Sequence, residues 1–478
     1  MIPLIEPLAI VQHYGSRFQD VLPEQELRKM ERYLSGLLIN GNKTVEGINK
    51  LFILDSMDQS TLNRLLSESH FKVEELNDAR VDWLQSCPDT AFKEGEGEKG
   101  VLVLDDTLLA HHGPHFEKIA WLYDHVSGSY CWAHNLVNLH YSDDRTDYPV
   151  DFRLWEPADA DEVEAALREI GSGFSEECLR RKEEDPAAWR AYLLKKYNRT
   201  HGRPLKGKTL RKVYKTKIDL AMGLLDAFYK KHPQSALPVA FDHWYTCAEL
   251  CAHVDKTLKK SYVGTLGADD VVLSGPGRKE MRCGDFVAGL VSQHREAIKN
   301  GAKPLFEKVG IHYKGSKETY YACCQTQRIK HLGRQRLVVS FSREDLSDKE
   351  PKYYVSNRLH WRSGGILRMR RHRWPIEVYH EEGKAEGLDK YQLRQFEGIK
   401  KHIALVCVAY SMLKRAQFDE AFLDKLQWKP EQKSGSLAFW RRVMTANALL
   451  GFVAWLLNET GSEAEWSHLL PKIAKAYL

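Results

Sequence analysis

The sequence predicts a mixed α/β protein with helical regions at both ends, and three observations predict it. Short β-branched and aliphatic runs close on aspartate at Val101-Leu-Val-Leu-Asp105 and Leu237-Pro-Val-Ala-Phe-Asp242. Around them lie stretches with apolar residues at spacings of three and four, as amphipathic helices require. A long strand-like region then separates Asp242 from the cation-rich segment Arg368-Met-Arg-Arg-His-Arg-Trp-Pro-Ile-Glu-Val-Tyr-His-Glu-Glu-Gly-Lys384.

Size and charge bound the possibilities. At 478 residues and 43% hydrophobic, the chain can bury sizeable cores and should hold two or three domains. The net charge of +5 is mild, so binding to a polyanion must come from local clusters. Nine cysteines, an odd number with no Cys-x-x-Cys pair, fit reduced thiols in a cytoplasm. Cys247, Cys251 and His253 are spaced as buried positions of a helix, and zinc is not expected there. No apolar run reaches the ~20 residues of a membrane helix, and no membrane association is expected.

In chain order, Pro23-Glu-Gln-Glu-Leu-Arg-Lys-Met-Glu-Arg-Tyr-Leu-Ser-Gly-Leu-Leu reads as a helix, a second begins near Thr44, and a third opens at the capping-type residues Asp58-Gln-Ser-Thr. After the first aspartate run, Tyr130–Tyr141 and Tyr148–Trp155 read as strands beyond a turn near Ser127-Gly-Ser. The stretch from Ala158 to Tyr197 is helical and charged. Lys195 to Lys217 contains no acidic residue and reads as a basic loop entering the helix Ile218–Lys231. Beyond Asp242, Ser261–Leu266, His312–Gly315, Thr319–Thr326, Arg336–Phe341 and Tyr353–Ser356 are strand-like. His402–Lys414 is an apolar core helix, and the tail from Ser434 to Leu478 alternates apolar and polar at helical spacing.

A buried strand ending in aspartate delivers a carboxylate at a sheet edge, where ligands bind. Period-two alternation sets Val101, Val103 and Asp105 on one face and Asp106 on the other. In the cationic segment, Arg370, Arg373, Glu377 and Lys384 share one face if a single helix runs through them. Taken alone, that face suits a solvated helix with modest ion pairs. With Asp105 and Asp242 it becomes three carboxylates without a matching His or Cys cluster. That donor set favours Mg²⁺ or Mn²⁺ over softer metals, and two-metal phosphodiester cleavage or transfer.

The order Asp105, Asp242, Glu377, with Arg-Trp-Pro-Ile-Glu followed at the seventh position by Lys384, resembles the DDE transposases of bacterial insertion sequences. The resemblance runs over roughly residues 30 to 415. Its most specific part extends from Arg373 through Gly387-Leu-Asp-Lys-Tyr-Gln-Leu-Arg394. The family signature has Tyr, Arg, Glu and Lys at successive intervals of three, four and seven. Arg373, Glu377 and Lys384 keep the last three, while Arg370 stands where the Tyr would be.

The resemblance implies a ribonuclease-H-like catalytic domain with a mostly β insertion before Glu377, a helical N-terminal domain and a helical C-terminal region. The boundaries expected are 1–95 for the N-terminal, end-DNA-binding part, with Lys50, Arg64 and Lys72 as contacts, or else a plain helical cap. The catalytic domain takes 96–255, with a helical and basic excursion at 158–217, and 366–430. The insertion takes 256–365 and the C-terminal region 431–478.

The resemblance also implies that Asp105, Asp242 and Glu377 are catalytic and hold two Mg²⁺ or Mn²⁺ ions, Asp105 rather than Asp106 by the family's apolar-Asp-x-Thr register. Arg373 and Lys384 would hold DNA phosphates. By charge alone, Arg370 and the basic-loop residues Lys206, Lys208, Arg211 and Lys212 would join them. The activity implied is cut-and-paste DNA transposition by a bacterial, cytoplasmic, nucleoid-associated endonuclease, acting as a homodimer on inverted-repeat ends and target DNA. The alternatives are a transposase-derived DNA-binding regulator and a structure-selective nuclease on the same fold. Trp361, between insertion and Glu377, reads as a core tryptophan or as an aromatic for a flipped base.

Overall fold

The computed structural model describes residues 2–55, 57–94, 100–169, 171–185, 188–190, 192–193, 196, 215–275, 277–427, 429–430 and 436–459. Lys206, Lys208, Arg211 and Lys212 lie outside the described residues, as does the tail from residue 460 on.

The centre of the molecule is a strand apolar enough to be covered on both faces. In β1 (Val101–His111), Val101 to Leu104 are all buried, and exposure begins at Asp105. β1 pairs antiparallel with β3 (Ser129–Ser142) and parallel with β5 (Val239–Phe241), which pairs parallel with β6 (Tyr262–Leu266). β3 carries β4 (Asp147–Trp155) along one half of its outer edge and β2 (Ala120–Asp124) along the other. Three antiparallel strands followed by two parallel ones are the order expected of a ribonuclease-H-like core. The predicted turn at Ser127-Gly-Ser closes the β2–β3 hairpin with Gly128 at φ +67°.

The sheet does not stop at β6. β12 (Lys352–Ser356) pairs antiparallel with it, then β11 (Gly333–Phe341) and β10 (Ser316–Ile329). β9 (Glu307–Tyr313) forms a hairpin with β10, and β7 (Val271–Ser274) and β8 (Lys279–Arg282) complete the far end. The region between Asp242 and Glu377 is thus an extension of the central sheet. It also holds a helix, Cys283–Lys299, which the strand-like reading of this region did not include. Val287, Leu290 and His294 are its buried face, set against Val272, Phe306 and Val339. Trp361 packs at the edge of a second small core with Val338, Ile366 and Leu367.

The N-terminal helices form where the capping residues place them. Thr44 accepts from the Gly47 amide and Asp58 from the Ser60 amide, opening Val45–Lys50 and Gln59–Ser67. Glu24–Ile39, Gln59–Ser67 and Val73–Gln85 close around the helix Phe396–Ala416, whose other side meets β4. These helices and the central sheet share one continuous buried core. Arg80 crosses it, donating to Ser411 Oγ at 2.9 Å and to the Val150 carbonyl at 3.0 Å. Lys50 and Lys72 pair with Glu46 and Glu75 of their own segments, and Arg64 bonds to Ser60. The stretch after Ala158 gives Ala160–Glu169 and Glu176–Glu184 with a small core of their own. From the tail, Leu437–Glu459 is helical and buries Trp440. No helix among the described residues is long and apolar enough to cross a membrane.

The insertion touches the core through a buried charge. Lys314 and Gly315, both at positive φ, make the two-residue turn of the β9–β10 hairpin. Lys314 Nζ lies 2.9 Å from Asp147 Oδ2, an atom that Lys414 Nζ also meets at 2.9 Å, while Tyr410 Oη donates to Oδ1 at 3.1 Å. Burial opposes ionisation of Asp147, but Lys414, Lys314 and His140 together hold its carboxyl well below the usual range. A second contact, Arg368 with Asp144, ties the helix Ser363–Arg371 to the turn between β3 and β4.

Candidate active site

The expectation of one continuous helix through Arg370 and Lys384 is corrected. The chain makes two helices, Ser363–Arg371 and Trp374–Glu386, broken at His372 and Arg373. The cause is Pro375, which has no amide proton to offer the Arg371 carbonyl and whose ring would crowd it. Arg370 therefore belongs to a different helix from Glu377 and Lys384. Its guanidinium lies 5.8 Å from the Tyr354 ring centroid, in a recess shared with Glu318 and Trp374.

The break sets Arg373 at the N-cap of the second helix with Glu377 in its first turn. Arg373 is buried, only 7% exposed. It donates from Nη1 to Asp105 Oδ2 at 2.7 Å and from Nη2 to Glu377. Its charge also acts on Asp242, and burial together with Arg370 lowers its own pKa. Asp105, Asp242 and Glu377, widely separated in sequence, thus all lie within the field of one guanidinium. The reading of Arg373 as a phosphate holder meets an Arg already bonded to two carboxylates.

The two adjacent aspartates have different surroundings, as the strand alternation predicts. Asp105 Oδ1 accepts the Asp106 amide at 2.9 Å. Burial, with smaller contributions from Asp242 and Asp106, pushes its carboxyl up to about 7 against the opposing charge of Arg373. Asp106 is held by structural partners. Lys217 Nζ reaches both oxygens at 3.0 Å, Tyr245 Oη donates at 2.9 Å and Asn135 Nδ2 at 2.7 Å. The sequence reading missed these three. Tyr245, three residues beyond Asp242, was the most findable.

Asp242 closes β5 and caps its own loop. Its Oδ1 accepts the Tyr245 amide at 3.0 Å, and its carbonyl accepts the Thr246 amide at 3.1 Å and Thr246 Oγ1 at 2.6 Å. His380, one turn beyond Glu377, is buried with Nε2 3.0 Å from Asn138 Nδ2. Asn138 is the β3 residue opposite Asp105, so this contact ties the Glu377 helix to the sheet. Burial lowers the His380 pKa to about 3 and keeps the ring neutral. Lys384 lies two turns along, on a groove of about 630 Å³ that also takes in Asp106, Lys217 and Trp244.

The helix ends at Gly387, φ +108°, in the left-handed region that favours glycine. The rest of the signature then turns into the core. Leu388 and Tyr391 are buried, Tyr391 Oη lies 2.6 Å from His134 Nδ1, and the Arg394 carbonyl accepts the Glu117 amide at 2.9 Å. This part of the motif supports the site without entering it.

Carboxylate oxygens are the donors that Mg²⁺ or Mn²⁺ takes, and a buried carboxyl with a raised pKa gains from a cation beside it. The donor chemistry therefore fits such ions. Among the described residues no three His, Cys, Asp or Glu side chains form a ready-made metal cluster, since Arg373 stands between Asp105 and Glu377. Holding an ion there would exchange an arginine contact for it.

A family model described as "DDE superfamily endonuclease" matches residues 17–282, more than half of the chain. The matched span includes Asp105 and Asp242 and ends ahead of Glu377. No curated protein matches the chain.

Proposed function

We propose that this chain, which belongs to the DDE superfamily of endonucleases, is a transposase that cuts DNA at the ends of a mobile element and joins the freed 3′ ends to target DNA. The observation that carries the reading is the gathering of Asp105, Asp242 and Glu377 around Arg373, just past the last paired residues of β1 and β5. A fold alone does not choose a chemistry, whereas three acids from separate elements sharing one cation do point to a site.

In this reading Asp105, Asp242 and Glu377 hold two divalent ions, Mg²⁺ or Mn²⁺. Bound there, such ions supply Lewis acidity and offset phosphate charge. The protein's own side chains hold the frame. Until an ion takes over one of its contacts, Arg373 offsets the mutual repulsion of the carboxylates and keeps Asp105 and Glu377 within reach of one another. The bonds from Lys217, Tyr245 and Asn135 to Asp106 fix the end of β1, and with it the direction of Asp105. Lys384 holds a DNA phosphate as a point charge, and Arg370 and the basic residues Lys206, Lys208, Arg211 and Lys212 add salt-dependent affinity. Joining two ends in one act calls for a homodimer on paired inverted repeats, in the cytoplasm with the chromosome.

The test is cleavage and strand transfer in Mg²⁺ on duplexes carrying the repeats that flank the gene. Wild type should cut and join, and Glu377→Gln should bind ends without cutting. Lys384→Ala should bind less tightly, with a salt slope smaller by about 1. Cutting by Glu377→Gln at the wild-type rate would remove Glu377 from the site. End binding without wild-type cutting would make the protein a regulator, and cutting of branched DNA without joining would make it a structure-selective nuclease.

A further inference from the structure

The insertion carries a group of arginines that neither the packing of the fold nor the carboxylate site uses. Arg328 on β10 and Arg334 on β11 are exposed and stand directly opposite each other across the two strands. Like charges so placed destabilise a sheet. Arg336 follows on the same face, two residues along β11, and its Nε donates to the Trp361 carbonyl at 3.0 Å. Arg358, just past β12, donates from Nε to Ser261 Oγ at 2.7 Å, and the exposed Arg362 stands at the N-cap of the helix Ser363–Arg371. Among the described residues none of these arginines has a carboxylate at ion-pair distance. The acceptors that hold Arg336 and Arg358 are neutral oxygens, which fix the guanidinium groups and leave their charge uncompensated.

The pairing register relates this group to the carboxylates. Val103, Ala240, Val263, Ser356 and Arg336 are successive partners in one row across β1, β5, β6, β12 and β11. Partners in a row point to the same face, and so do residues two apart on one strand. Asp105, two residues past Val103, therefore shares a face of the sheet with Arg336, Arg334 and Arg328. The same face receives the helix Ser363–Arg371 through Ile366 and Leu367, and that helix leads to Arg373. The strands from β1 to β10 are consecutive neighbours, and their spacing, with the offset along the strands, puts the opposed arginines on the order of 25 Å from Asp105.

An isolated exposed arginine is well solvated and needs no partner. Directly opposed arginines, beside others held by neutral oxygens, instead call for an anion that meets several of them at once. Phosphates do so, since a guanidinium takes them by two parallel bonds. On a face that also carries Asp105, a row of phosphates matches the backbone of the duplex being cut, and a separation of about 25 Å corresponds to about 7 base pairs.

We propose that Arg328, Arg334, Arg336, Arg358 and Arg362 form a second contact surface for the backbone of duplex DNA, about 7 base pairs from the cleaved phosphate. The inference rests on the DNA-cutting reading above and adds to it the path of the duplex beyond the carboxylates.

The test is fluorescence anisotropy with the full chain in EDTA, as a function of salt. One probe is a duplex of the flanking repeat with about 12 base pairs on each side of the cleaved phosphate. In two others one arm or the other is cut to about 4 base pairs, too short to reach the arginines. The double variant Arg328→Gln, Arg334→Gln should lower the salt slope on the full probe by about 2, and Arg328→Lys, Arg334→Lys should keep the slope near wild type. The glutamine variant should melt no lower than wild type, because a like-charge pair is removed, and this separates a lost contact from a lost fold. Shortening one arm should abolish the difference between variant and wild type, and shortening the other should not. The arm concerned tells the element's own DNA from the DNA outside it. An unchanged slope, or a loss that persists whichever arm is shortened, would overturn the surface while leaving the DNA reading in place. Failure of wild type to bind any of the probes would overturn both.

Discussion

Replacing Asp105 by asparagine should flatten the pH dependence of stability in metal-free buffer, and the size of the effect follows from its surroundings. Burial pushes the Asp105 carboxyl up to about 7 from an ordinary 3.8. The folded state therefore holds a proton that the unfolded chain releases earlier. Stability from this group is complete below pH 3.8 and is lost as pH rises toward 7, by about 1.4 kcal/mol per unit and about 4 kcal/mol in all. Asparagine resembles the protonated carboxyl and has no such loss. Denaturant unfolding of wild type and variant in EDTA, at pH 4.5 and 7.5, reads the difference between them. That difference should move in favour of the variant by about 3 kcal/mol between the two pH values, even as strand cleavage is abolished. A constant difference across that window would refute the assignment of Asp105 as the buried, strained carboxylate. Asp106→Asn provides the contrast. It breaks charge-assisted bonds from Lys217 and Tyr245 and should destabilise by roughly 1.5–3 kcal/mol.

Two further outcomes test the scaffold. Asp147→Asn leaves Lys414 buried and Lys314 half-buried with their shared carboxylate gone. It should cost roughly 3–5 kcal/mol in denaturant unfolding, and much less in a Lys314→Met, Lys414→Met background. Because the Asp147 pKa is depressed, its contribution is present above the ordinary carboxylate range and is lost only as pH falls through the folded value. Gly36→Ala drives a methyl into Ile48 Cγ2 and Cγ1, where the helices Glu24–Ile39 and Val45–Lys50 meet. It should cost about 1–3 kcal/mol by thermal or denaturant melting, partly recovered by Ile48→Ala.

The parts of this molecule that were legible in its sequence are those governed by local chemistry. Val101–Leu104 is apolar without alternation, which only a strand covered on both faces tolerates, and the aspartate after it marks where cover ends. Thr44 and Asp58 announce their helices by side chains that satisfy free amides. The break at His372 was also written locally, in Pro375, but reading Arg370 to Lys384 as one periodic face passed over it. What the sequence could not display were partners set by tertiary contact. Lys217, Asn135 and Tyr245 meet at Asp106 from three elements, and only Tyr245, close after Asp242, carries any local sign of it. The helix Cys283–Lys299 had the usual three-four spacing at Phe286, Val287, Leu290 and Val291, hidden among strands on both sides.

The long helix Phe396–Ala416 also governs the order in which the molecule becomes competent during synthesis. The N-terminal helices leave the ribosome first, but the surface they close upon is this helix, made some three hundred residues later. Until it arrives their apolar faces have no covering, and Glu377 lacks the helix packed behind its own. A nascent chain stopped short of residue 416 therefore exposes apolar surface before Glu377 has its support, the kind of state from which chains aggregate. Completion of the core and arming of the site become one late event.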